Sequence, residues 1–145
     1  MIKTLGSYLL AVITAYLLGA ILVSQGNIAA VVALGFDVSF SQRLDAAVHD
    51  MLSMTDIYLP LVAISLALGL PVAYAIVRNR PQLRLIAYTL AGFTALIAIH
   101  VVIKAVVGLS GVAPTRTLVG LLCQGIAGGV GGYLFYRLTT HFQNH

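Results

Sequence analysis

The chain has 145 residues, of which 60% are hydrophobic and 8% charged, with a formal net charge of +4. Soluble domains are typically about a quarter charged, so this composition excludes a water-soluble fold and places the chain among integral membrane proteins. At roughly 20 residues per helical span, the length holds about four spans with short links and no separate soluble domain.

The first apolar run covers residues 5–23, behind Lys3, and reaches a polar, turn-prone break at Ser24-Gln25-Gly26-Asn27. Its charge pattern resembles a signal peptide, but the run is read as a retained first span. The following stretch, 28–36, is uncharged and too short to cross a bilayer alone, which favours one long first helix over a stop near Val23.

All four acidic residues, Asp37, Asp45, Asp50 and Asp56, then fall in a single window. Within 39–54, Leu44, Ala47, Val48, Met51 and Leu52 follow helical spacing, and Arg43, Asp45, His49, Asp50 and Ser53 take the opposite face. Ser39 with Gln42 three residues on predicts a capping box. The segment reads as an amphipathic helix lying on the membrane or on the other helices.

The second span is expected over 57–77, with Pro60 near its start and Pro71 inside it as a kink and a candidate hinge. A short basic link, 78–84, leads to the third span at 85–107, which carries His100 and Lys104. After a loop containing Pro114, the fourth span is expected over 117–138, with a short tail holding His141 and His145. Small residues at four-residue spacing let transmembrane backbones approach. The first three spans offer Ala11, Ala15 and Gly19; Ala63, Ala67 and Pro71; and Ala87, Ala91 and Ala95. The fourth holds Gly120, Gly125, Gly128, Gly129 and Gly132, with GxxxG spacings at 125/129 and 128/132. These serve either packing on the first or third span, or an internal neighbour and a second subunit together.

Orientation follows from lysine and arginine counts on the two sides. Lys3, Arg78, Arg80, Arg84 and Arg137 share one side, and Arg43, Lys104 and Arg116 the other with every aspartate. The expected arrangement is multi-pass, both termini cytoplasmic, in a bacterial inner membrane. The basic residues are thereby explained by topology, and no nucleic-acid partner is expected.

Chemistry within the bilayer has few candidates. His100 and Lys104 stack four apart on one helix face, Lys104 close enough to the boundary to snorkel. His100 is one turn deeper, where an ionisable group suggests function. The alternative is a neutral structural histidine bonded to Gln124, the one strongly polar side chain of the fourth span, or to a backbone carbonyl. Counting from the loop puts His100 and Gln124 at similar depth. Asp45 and His49 supply two metal-ligand positions without a third, and haem ligation by His49 and His100 is disfavoured because His49 is expected outside the membrane. Asp37, Asp45, Asp50 or Asp56 could pair with Lys104 and Arg116 and clamp the amphipathic helix over the bundle mouth. Cys123 reads as a packing residue. Nucleophile elbows, phosphate loops, CxxC and HExxH motifs are absent.

The expected fold is therefore an all-α membrane protein with four spans and an outer amphipathic helix between the first and second. The expected function is a non-enzymatic structural or accessory subunit of a homo-oligomer or larger membrane complex, without cofactor or metal. The alternative is a small channel or transporter with His100, Lys104 and Gln124 at its outer vestibule.

Overall fold

A computed structural model describes residues 2–108 and 113–141. His145 and loop positions 109–112 lie outside them. Among the described residues the chain is all helical: α1 (Ile2–Ala33), α2 (Phe40–Ser53), α3 (Tyr58–Val77), α4 (Arg84–Val107) and α5 (Leu118–His141), with single 3-10 turns at Pro81–Leu83 and Ala113–Arg116. Four of these helices, α1, α3, α4 and α5, are long and apolar enough to cross a membrane. The protein is a multi-pass, all-α membrane protein.

The first helix runs through the Ser24–Asn27 break without interruption. Its 32 residues extend about 48 Å at 1.5 Å per residue, against a hydrocarbon core of about 30 Å. The helix is thus longer than the hydrocarbon core by about 18 Å. The capping box at the start of α2 forms as expected, with Ser39 Oγ accepting from the Gln42 N–H and Gln42 Oε1 from the Ser39 N–H. At its other end three carbonyls, orphaned as at every helix C-terminus, find donors. The Met54 N–H bonds Asp50, the Tyr16 hydroxyl bonds Met51 at 2.6 Å, and Thr55 Oγ1 bonds Leu52.

The spanning helices pack in the cyclic order α1, α5, α4, α3, each antiparallel to its neighbours, with the α4–α5 and α1–α5 contacts most extensive. One end of the bundle carries Lys3, Arg78, Arg80, Arg84 and Arg137; the other carries α2 and the aspartates. We call these the basic and acidic ends.

The glycines of α5 explain its central position. A Cβ on Gly128 would overlap the Gly92 carbonyl oxygen of α4, and one on Gly132 would overlap that of Tyr88. Gly131 faces Ala11 and Ala15 of α1, and Gly125 faces Phe93 and Ile97. Gly120 lies against the Pro114 carbonyl in the turn before α5, where Thr117 Oγ1 caps the helix by accepting from the Gly120 N–H at 3.0 Å. Gly128 and Gly132 thus face α4, in keeping with the reading that the fourth span packs on the first or third. Gly129 alone of the five has only ordinary contacts.

Other expectations are corrected. On α3 the packing face is Val62, Leu66, Leu70, Ala73 and Val77, whereas Ala67 and Pro71 of the expected small-residue stripe are exposed. Larger side chains serve there because Gly69 already admits close approach to the Ala91 carbonyl and Ala95 Cβ. Pro71 stands inside α3, as expected, and removes one backbone donor there. On α2 only Ala47 and Met51 of the predicted apolar face turn inward, and Leu44, Val48 and Leu52 are exposed, as is Phe40. This leaves a stripe at four-residue spacing on the flank of α2, suited to the headgroup–acyl boundary.

Candidate functional site

The acidic half of the bundle encloses a cluster of buried polar side chains from all four spanning helices. Its centre is Tyr58, the first residue of α3, which is 2% exposed. The tight turn from α2 into α3, held by the Tyr58 N–H to the Met54 carbonyl at 2.9 Å, sets the start of the helix there. The Tyr58 hydroxyl donates to Gln124 Oε1 on α5, and Gln124 Nε2 donates to the Gly19 carbonyl on α1 at 3.4 Å. Gly19 is required by this arrangement. A Cβ there would overlap the phenol oxygen and come within 2.9 Å of Tyr58 Cζ.

Two aromatic contacts extend the cluster. The Tyr16 ring lies 5.7 Å from that of Tyr58, and the His100 ring of α4 lies 6.4 Å away on a tilted approach. Tyr16 in turn donates to α2 through Met51. The cluster is thus connected by hydrogen bonds to the helix lying outside the bundle, beside a reciprocal pair in which Arg43 Nη1 donates to Gln25 Oε1 and Gln25 Nε2 to the Arg43 carbonyl, both at 3.3 Å.

His100 is 3% exposed. Its Nδ1 stands 2.7 Å from the Leu96 carbonyl of its own helix. A carbonyl only accepts, so Nδ1 carries the proton, and in the neutral ring Nε2 is left as an acceptor. That nitrogen is buried and has no hydrogen-bond partner; Ser24 Oγ on α1 is the same. An orphaned buried polar atom costs about 1–3 kcal/mol, and such atoms in native structures call for an explanation.

The sequence-predicted residues separate on this frame. His100 and Gln124 do lie in one buried cluster, but they do not bond each other, because Tyr58 occupies the Gln124 carbonyl oxygen. Lys104 is exposed, one turn nearer the acidic end. Of the three residues expected at an outer vestibule, His100 and Gln124 are thus buried and Lys104 is exposed. The charge clamp does not form: among the described residues none of Asp37, Asp45, Asp50 or Asp56 forms an ion pair with Lys104 or Arg116. The roll of α2 turns Arg43 and Ala47 toward α1 and leaves Asp45 exposed, and Asp37 and Asp56 are exposed in the segments that flank the helix. Asp45 and His49 are both exposed on α2, and no group of three or more His, Cys, Asp or Glu suited to a metal occurs among the described residues.

Tyr16, Tyr58 and Gly19 were the members that sequence reasoning missed as a polar site. Tyrosines near span ends usually form interfacial belts, and Tyr58 at the start of its helix fits that pattern. The available signal was Tyr16, a phenol deep within the first span where its hydroxyl needs a partner.

Comparison with protein-family models, curated proteins and solved structures returned no match.

Proposed function

We propose that the protein is a non-enzymatic accessory subunit of a membrane assembly, a rigid bundle that presents its acidic-end cap to partners. The observation that supports this reading is the filling of the bundle centre. Leu66, Leu96, Val62, Tyr58 and Gln124 are all essentially inaccessible and come from three of the four spanning helices. Close backbone contact between α4 and α5 at Gly92, Gly128 and Gly132 adds rigidity on the same axis. Such packing suits a scaffold and opposes a water-filled path.

The cap consists of α2, the C-terminal end of α1 and the turn at Ala113–Arg116, which meets α1 where Pro114 touches Gly26. By the positive-inside rule, the basic end faces the cytoplasm and the cap faces outward, to the periplasm of a bacterial inner membrane. Gentle solubilisation of native membranes followed by sizing tests the proposal. A particle well above the 15.3 kDa chain, with itself or other proteins, is the expected result. A monomer in several mild detergents, still monomeric after cross-linking in the membrane, would refute it.

The free Nε2 of His100 favours one second reading, an ion- or proton-handling bundle that opens transiently around the Tyr58 cluster. Ion flux in reconstituted vesicles separates the two.

A further inference from the structure

The lipid-facing seam between α4 and α5 contains a groove of about 360 Å³, lined by Thr89, Leu90, Phe93, Ile126, Gly129 and Tyr133 among others. A second hollow of about 380 Å³ shares Thr89, Leu90 and Tyr133 and continues along Leu85 and Ile86 toward the basic end. From Leu85 to Phe93 the pair extends about 12 Å along the helix axis. Its polar character is slight, since the Thr89 hydroxyl is turned back to the Leu85 carbonyl at 2.8 Å. At Gly129 the groove has room beside α5, where a Cβ would meet nothing nearer than 3.6 Å.

What covers the groove is indicated by charge. Ile126, Val130, Tyr133 and Arg137 fall at helical spacing on one stripe of α5, so the exposed Arg137 stands one turn past the groove at the basic end. Arg78 and Arg80, also exposed, belong to the link that precedes α4 at the same end. No acidic residue occurs outside 37–56, so among the described residues no acidic side chain stands at this cationic end. A guanidinium at the bilayer boundary is suited to bind phosphate oxygens, and an apolar channel leading away from it fits a hydrocarbon chain. We propose that the α4–α5 groove is a binding site for an anionic phospholipid of the leaflet at the basic end, with one acyl chain against Gly129 and the headgroup at Arg137.

The chain has no tryptophan, so a single Tyr133→Trp substitution places a reporter in the groove. The full-length protein is reconstituted in phosphatidylcholine vesicles, and quenching by phosphatidylglycerol with brominated acyl chains is compared with that by brominated phosphatidylcholine. The expected preference is about fivefold for phosphatidylglycerol, equivalent to ~1 kcal/mol per basic residue at a membrane surface. Arg137→Gln should bring the ratio close to one, and Gly129→Leu should do the same by filling the groove. A reporter at Val72→Trp, lipid-facing on α3, should show no preference. Equal quenching at position 133, the same preference at position 72, or a preference that survives Arg137→Gln would each overturn the site. Weak quenching by both lipids that rises as protein is diluted in the vesicles would identify a second copy in the groove, and would overturn it too.

Discussion

Gly128 and Gly129 are neighbours in sequence and should respond oppositely to alanine. At Gly128 the new methyl overlaps the Gly92 carbonyl oxygen and lies 2.9 Å from the carbonyl carbon and 3.1 Å from Leu96 Cβ. The obstructing atoms are mainly backbone, so no rotamer change relieves them, and α4 and α5 must part. Overpacking of this kind costs about 1–3 kcal/mol, against a helix-propensity gain of up to about 1 kcal/mol. With the full gain subtracted, the net expectation is a loss of up to about 2 kcal/mol. At Gly129 the methyl meets Phe93 Cβ and the Thr89 carbonyl at 3.6 Å, an ordinary contact distance, and the propensity gain is kept. Gly129→Ala should therefore be neutral or stabilising by up to about 1 kcal/mol. Thermal unfolding in one detergent, followed by retention on a size-exclusion column, gives the order Gly129→Ala, wild type, Gly128→Ala from most to least stable. Equal effects at the two positions, or Gly129→Ala the more damaging, would refute the assignment of the α4–α5 face.

Tyr58→Phe removes the donor to Gln124 Oε1 in a buried site; a double-mutant cycle with Gln124→Leu should give a coupling of about 0.6–1.7 kcal/mol, the range found for polar pairs in membrane bundles, and additivity would remove the proposed bond. Tyr16→Phe withdraws the donor to the Met51 carbonyl, so hydrogen exchange in α2 should quicken while α4 and α5 are unchanged; an unaltered α2 would show that the bond does not hold it. His100→Leu loses one bond to Leu96 but also the orphaned Nε2, and these effects of about 1 kcal/mol and 1–3 kcal/mol oppose each other. Its unfolding temperature should equal or exceed that of wild type, and a marked fall would mean that Nε2 has a partner.

Several features were legible because one physical rule dominated them. Four apolar runs gave four spanning helices, and Ser39 with Gln42 gave a capping box, since backbone donors at a helix start must be met locally. The depth of His100 and Gln124 followed from counting residues on either side of the loop. Their bonding did not, because a third side chain, Tyr58, arrives from a helix that the count ignores. Periodicity likewise put Leu44, Val48 and Leu52 on the same face as Ala47, but in a bilayer an apolar face has two suitable surroundings, lipid and protein. Only packing decided that Ala47 turns toward α1 and the leucines do not. The glycine spacings announced close approach to the first or third span, and both are met, Gly128 on α4 and Gly131 on α1.

The claim most open to direct test is that the bundle is a filled scaffold rather than a conduit. Proton and monovalent-cation flux should be measured in vesicles containing the wild-type protein, the His100→Ala variant, or no protein. A filled scaffold gives the same background leak in all three. Flux above background in wild type that disappears in His100→Ala would contradict it and would make the Tyr58–His100–Gln124 cluster part of a transport path.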